Sequence, residues 1–513
     1  MKRTTLSLIA VATALAAVTG FAALTAPDGS AAPEAKAPAT LPVERSSLLC
    51  PAPSSSELAE TDYTSYTPGA TGRSGSASGS GTSGTGAAAA AKAELKAAPT
   101  AATPGGTTAK KPGAKAPATV TQPGKPVSAE ANGAAAPALT GSATGGLAPG
   151  WTVQQTTVVP AGGARGLLGV TCGAPDTDFW FPAASTAKER GDYVHLTNPD
   201  DSAAVADIEL YGPEGELKSQ LTEGIPVPAH SSVPVLLSTL TGQAPTADLT
   251  VHVTTRSGRV GAVVGAADDK LGSDWLPASA DPAGTAVLPG IPADATSVRL
   301  VAYAPGENDA ELKIQLVSET GTIVPAAAQS LHVKSGMTAA VDLPDLTRGE
   351  TGSLLLSPSD PKKSTPFVAA LRVTRGKGDK QEVAFIPATA AIDSRATVAD
   401  NRAAGSTLAL TAPGETAQVK VTASAGTGGG TPVSRTVTVK AGTTTKVTDV
   451  VPAGLKGSYA LTVERISGGP VHASRLLAVP EGGIPMFTVQ PLVDDRGTVK
   501  VPTAKQDLSV LDD

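Results

Sequence analysis

Tyr193–Gly215 reads YVHLTNPDDSAAVADIELYGPEG, Val298–Gly321 reads VRLVAYAPGENDAELKIQLVSETG, and Leu408–Gly426 reads LALTAPGETAQVKVTASAG. All three run in one order: a short apolar stretch, a turn built on Pro with Asn, Asp or Gly, then a stretch of strict alternation. In the first, Ala206, Ile208 and Leu210 alternate with Asp207 and Glu209. In the second, Leu312, Ile314 and Leu316 alternate with Lys313 and Gln315, and in the third Val419 and Val421 alternate with Lys420 and Thr422. A period of two is what a strand with one buried face produces. Self-similarity at a fixed period marks a repeat architecture.

The likeness extends on both sides. Upstream stand DFWFPAAS (Asp178–Ser185), SDWLPAS (Ser273–Ser279) and VAFIPAT (Val383–Thr389). Downstream, IPVPAHSSVPVLL from Ile225, LHVKSGMTAAVDL from Leu331 and VTVKAGTTTKVTDV from Val437 correspond. Each is followed by two further apolar runs, and a closing MFTVQPL begins at Met486. The opening aromatics Trp180, Trp275 and Phe385 lie 95 and 110 residues apart and are taken as equivalent positions that pack between sheets or over a domain edge. About seven short strands in about 100 residues is the size of an immunoglobulin- or fibronectin-III-like sandwich. The expected fold is therefore all-β, with tandem sandwiches over residues 151–272, 273–382 and 383–513.

Composition agrees. The 513 residues include 55 Gly and 43 Pro, which disfavour helix interiors and suit turns. Aromatics are only 3% and charged residues 17%. The net charge of −6 lacks the basic footprint of a nucleic-acid binder.

Lys2 and Arg3 precede an apolar run from Leu6 to Ala26, with small residues at Ser30, Ala31 and Ala32. This pattern reads either as a cleaved signal peptide or as an uncleaved N-terminal anchor over residues 1–32. Both readings put the remainder outside the cytoplasmic membrane. Membrane contact is expected only through this segment. In such a compartment the two cysteines, Cys50 and Cys172, are expected to form one disulfide.

Residues 33–70 read as an N-terminal segment with a strand around Cys50. From 71 to 150 the composition falls to Ala, Gly, Ser, Thr, Pro and Lys, without Phe or Tyr and with Trp only beyond its end. That interval reads as a disordered linker, because it offers too little apolar surface to offset its ordering entropy. Within it, Ala87–Ala98 reads as a weak helix. The interval holds seven basic and two acidic residues, a net +5 against −11 for the remainder. Trp151–Val159 and Gly166–Cys172 read as a hairpin that brings Cys172 to face the Cys50 strand, in which case the linker is a surface loop.

No motif with catalytic or metal chemistry survives its context. Ser185-Thr186-Ala187-Lys188 matches an SxxK nucleophile pattern but lacks its partner elements. The GxGxxG at Gly79–Gly84 sits in low-complexity sequence with no preceding strand. Arg190-Gly191-Asp192 has the flanks of a strand entry. His195, His230, His252, His332 and His472 form no metal-ligand spacing. No catalytic residue, cofactor or metal ligand is expected.

GLLGVTCGAPDTDFWFPAAS (Gly166–Ser185) and YVHLTNPDDSAAVADIELYGPEG carry a further likeness. With the two cysteines, the Trp that follows the second, and the LTNP strand-turn, the chain resembles a family of exported actinobacterial proteins that carry a domain of unknown function. The resemblance implies an actinobacterial envelope protein and brings no activity. The expected role is a non-catalytic scaffold or protein-binding module whose partner is an envelope protein or wall polymer. The alternatives are a cell-wall or glycan-binding protein and, lower, an enzyme with a site between domains.

Overall fold

The computed structural model describes residues 39–69, 91–101, 119–221 and 223–501. The N-terminal apolar run, the GxGxxG and part of the expected linker lie outside them. The chain divides into two units. One contains a two-stranded antiparallel ribbon in which Ala39–Pro42 pairs with Thr498–Val501. The other is Val43–Gly497.

This unit is all-β. Among its described residues the only helical pieces are single 3-10 turns at Gly145–Leu147 and Leu237–Thr239. Its strands form four sandwiches, one more than the repeats suggest. Sandwich I uses Arg45–Cys50, Glu60–Tyr66, Ala93–Ala98, Val127–Asn132, Ala138–Thr144, Thr152–Val159 and Gly166–Thr171 as strands one to seven. Sandwich II uses Asp178–Ala184, Tyr193–Thr197, Ala204–Gly212, Ser232–Leu236, Leu249–Ser257, Gly261–Asp268 and Gly272–Leu276. Sandwich III uses Ala286–Ile291, Ala295–Tyr303, Ala310–Val317, Thr338–Asp342, Gly352–Pro358, Val368–Lys377 and Lys380–Pro387. Sandwich IV uses Arg395–Asn401, Ser406–Ala412, Ala417–Ala423, Thr443–Val447, Tyr459–Gly468, His472–Ala478 and Phe487–Leu492.

The strand order is the same in all four. One sheet runs one-five-three, extended in II, III and IV by further strands beside strand three; the other runs four-two-six-seven. Odd and even strands therefore occupy opposite layers until the hairpin between six and seven. An immunoglobulin constant domain divides its seven strands differently, placing one, two, four and five together. The likeness to that class is one of size and two-layer packing, not of connectivity.

Alternation places the cores. Leu312, Ile314 and Leu316, beside Leu354 and Leu356 in one sheet, meet Leu300 and Leu371 of the other inside III, all essentially without solvent contact. Val419 and Val421 meet Leu408, Leu410 and Val463 inside IV. Phe181, Ile208, Val251 and Val264 share the core of II.

Sandwich I corrects two expectations. Part of the interval read as a disordered linker is ordered: residues 93–98, 127–132 and 138–144 are strands, and Ala93–Ala98 is not helical. Small residues are suited to this position because Trp151 supplies the missing volume. A Cβ on Gly141 would lie 2.5 Å from the Trp151 ring. The indole nitrogen donates to Ser65 Oγ at 2.9 Å. Ala93 and Leu95 point into the resulting core with Tyr63, Leu139 and Val153. Tertiary packing thus overrides the local helix preference of AELKAA. Residues 151–171, read as the start of the sandwich over 151–272, are strands six and seven of sandwich I. They form the anticipated hairpin, with Val158 opposite Leu167.

The four sandwiches close into a ring. Strand one of II packs on strands two and six of III, strand one of III on two and six of IV, strand one of IV on two and six of I, and strand one of I on strand six of II. One heterologous contact repeated with closure is how cyclic assemblies form between subunits. Here it is made within one chain. A recurrent polar clasp accompanies it. Thr338 Oγ1 lies 2.7 Å from the Tyr211 carbonyl and 3.0 Å from Thr250 Oγ1 across the II–III joint. Thr444 Oγ1 repeats this across III–IV, 2.7 Å from the Val317 carbonyl and 3.0 Å from Ser353 Oγ. Between I and II the backbone does the same work, with Ser232 N donating to Pro99 O and Ala101 N to Ser232 O. Between IV and I, Arg402 reaches Asp62 at 3.3 Å.

Candidate functional site: the hub of the ring

Strand seven is the edge of its sheet in every sandwich, so each presents a row of backbone groups that its own sheet does not pair. The ring turns these edges inward. Gly166–Thr171 packs on Gly272–Leu276 and Phe487–Leu492, and Lys380–Pro387 packs on the same two, so four edge strands form a closed cycle.

Two carboxyl groups meet the inward edge of sandwich I. Leu167 N donates to Glu382 Oε1 at 2.9 Å, and Gly169 N donates to Asp274 Oδ1 at 3.0 Å. The same Asp274 oxygen accepts from Trp275 N at 2.8 Å and from Thr488 Oγ1 at 3.1 Å. Gln490 Nε2 donates in turn to Thr488 Oγ1 at 2.6 Å. Sandwiches I, II and IV thus converge on one carboxylate oxygen. A backbone bond from Ser273 N to Arg165 O, 2.8 Å, runs beside them.

This approach requires glycine in strand seven of I. A Cβ on Gly169 would stand 2.1 Å from Gln490 Nε2, and one on Gly166 would stand 2.2 Å from the Ser273 carbonyl. Burial dominates the electrostatics. It pushes the Glu382 carboxyl up to about 8, against smaller lowering effects of the Leu167 amide and Arg165. It also drives Asp274 well above the usual carboxylate range, despite three hydrogen bonds to its charged form. Glu382 Oε2 and Asp274 Oδ2 are buried and have no hydrogen-bond partner. Arg165 Nη2 lies 3.8 Å from Glu382 Oε2 while donating to the Gln381 carbonyl at 2.8 Å.

Above the hub the turns between strands six and seven frame an open cleft of about 950 Å³. Arg165 comes from I, Asp269 and Lys270 from II, Asp379 from III and Ile484 from IV, with Arg372 on one wall.

Of the sequence-predicted residues, Trp275 and Phe385 lie on hub strands and the others do not. Cys50 and Cys172 form the expected disulfide, with Cα atoms 4.6 Å apart. It ties strand one of sandwich I to the end of strand seven, where Leu49 also bridges Gly173. Trp180, Trp275 and Phe385 are not equivalent, which corrects the repeat alignment. Trp180 is on strand one of II, whereas Trp275 and Phe385 are on strand seven of II and III. Both kinds of strand are buried on two faces, one by the neighbouring sandwich and the other by the hub. Both therefore read as continuous apolar runs with an aromatic, and sequence alone conflates them. Trp180 stacks on His252 at 3.6 Å and on Tyr303 of sandwich III at 5.5 Å. Trp275 meets His195 edge-on at 5.1 Å. Phe385 joins the apolar cluster of II, with the Arg190 guanidinium 5.5 Å from its ring centre. Ser185 Oγ accepts from Ala187 N in a turn.

Sequence reasoning missed Asp274 and Glu382. The available signal was one acid at the head of an apolar run, SDWL and EVAFIP. Gly169, Thr488 and Gln490 gave no such signal.

The arrangement defines a class: a single-chain ring of four β-sandwiches with a buried polar hub. A family model described as a family of unknown function, DUF5719, matches residues 127–449, from strand four of sandwich I into sandwich IV. The chain belongs to that family. No curated protein matches it, and no solved structure does.

Proposed function

We propose that this is an exported, non-catalytic protein of the actinobacterial cell envelope, in which the ring acts as a rigid scaffold or protein-binding module. The observation that carries the reading is the disulfide between Cys50 and Cys172. Such bonds persist in oxidising compartments. The basic start and apolar run at residues 2–26 supply a route there. The central carboxyl groups support a structural role, since both are buried and engaged in holding strand edges together, out of a substrate's reach. A stacking platform for glycans is less well supported, because Trp151, Trp180 and Trp275 are all buried.

Fractionation of native cells, with thiols alkylated before and after reduction, tests the proposal. The expected result is protein in the envelope or external fraction, with both cysteines alkylated only after reduction. Cytosolic protein with two freely alkylated thiols would refute it.

A further inference from the structure

The ring has one joint unlike the others: the inward edge of sandwich I, Gly166–Thr171, held by carboxyl groups from II and III. We propose that this hub is a proton-operated latch, in which loss of protons from the Glu382 and Asp274 carboxyl groups loosens strand seven of sandwich I from the ring.

The amides of Leu167 and Gly169 have these two carboxyl groups as their cross-ring acceptors. The second oxygen of each is buried and has no hydrogen-bond partner. Ionisation would therefore leave two desolvated charges with incomplete compensation inside the interface. The charged groups facing Glu382 are few. Arg165, on the segment entering strand seven of I, is 3.8 Å away and also holds the Gln381 carbonyl. Asp274, on strand seven of II, is raised mainly by burial and further by the charge of Glu382, so it loses its proton after Glu382 does. Arg375, opposite Glu382 on strand six of III, is paired with Asp294 and lies over the Phe487 ring. Strand seven of IV presents Thr488 and Gln490, which do not titrate in this range.

The sign follows from burial, which raises Glu382 to about 8. A carboxyl whose folded value is raised favours the closed state fully below its ordinary value. That contribution declines as pH rises and is gone above the folded value. Acid holds the latch shut, and mild alkali releases it. Sandwich I keeps its disulfide when the edge loosens.

Hydrogen–deuterium exchange on the full chain tests this, read at Gly166–Thr171 and corrected for intrinsic exchange rates. Between pH 6 and pH 9 protection there should fall at least about tenfold, while strand three of sandwich III, Ala310–Val317, changes little. In Glu382→Gln the pH dependence should weaken clearly, with Asp274 supplying the remainder. An unchanged pH dependence in that variant overturns the proposal, as does equal loss of protection in both strands of the wild type. Should Glu382→Gln fail to fold, Arg165→Met supplies the test. Removing the neighbouring cation should deepen the fall in protection between pH 6 and pH 9, and an equal or smaller fall than in the wild type overturns the latch.

Discussion

Sandwich I and sandwich III share one strand order and are held together differently. The core of III is a dry layer of Leu and Ile. Sandwich I instead buries Thr61, Thr64, Gln154, Gln155, Thr156 and Thr157 with almost no exposure, and its strands three and five come from Ala-, Gly- and Ser-rich sequence. A small layer of Leu, Trp and Tyr side chains and one disulfide complete it. One topology is thus reached by two routes. Alternating aliphatic strands specify III locally, whereas I depends on a covalent tie and on its neighbours in the ring.

The largest expected effect breaks that tie. Replacing Cys50 and Cys172 by Ala should cost about 4–5 kcal/mol by the chain-entropy account of a loop this long. Denaturant unfolding followed by hydrogen exchange should show sandwich I losing protection first, with III holding. Simultaneous loss in both would mean that the ring unfolds as one body and that the contrast is only compositional. Next comes Ile314→Ala, which empties the core of III. It should cost about 2–5 kcal/mol, read from the denaturation midpoint. The matching Leu95→Ala should cost less globally, because sandwich I already relies on other ties.

A smaller effect is expected at the hub. Gly169→Ala places a methyl group where Gln490 Nε2 stands and should cost about 1–3 kcal/mol through overpacking. The same change at Gly163, whose Cβ would meet nothing nearby, is the control and should be close to neutral. The smallest effect probes the clasps. Thr444→Val removes one hydroxyl from the III–IV joint and should cost about 1 kcal/mol. Thr338→Val at the II–III joint should match it if the two joints are equivalent.

What the sequence disclosed follows the same division. Ala206, Ile208 and Leu210 announce their strand because their other face meets water, and Leu312, Ile314 and Leu316 do likewise. Strands buried on both faces carry no alternation, so Trp180 and Trp275 read as equivalent although one is on the first strand and the other on the last strand of one sandwich. AELKAA and ALTGSAT read as linker because their packing partner, Trp151, lies just beyond the low-complexity stretch. The disulfide was legible from two cysteines and an export pattern. Ring closure was not, since it depends on outer sheet faces whose partners lie up to 394 residues away, as between Thr64 and Ser458.

Closure between sandwiches IV and I is the claim on which the hub and its chemistry depend, and small-angle X-ray scattering tests it most directly. A compact ring of this size predicts a radius of gyration of about 23 Å for its ordered body. A string of four separately folded sandwiches would give roughly twice that value, and such a result would contradict the account.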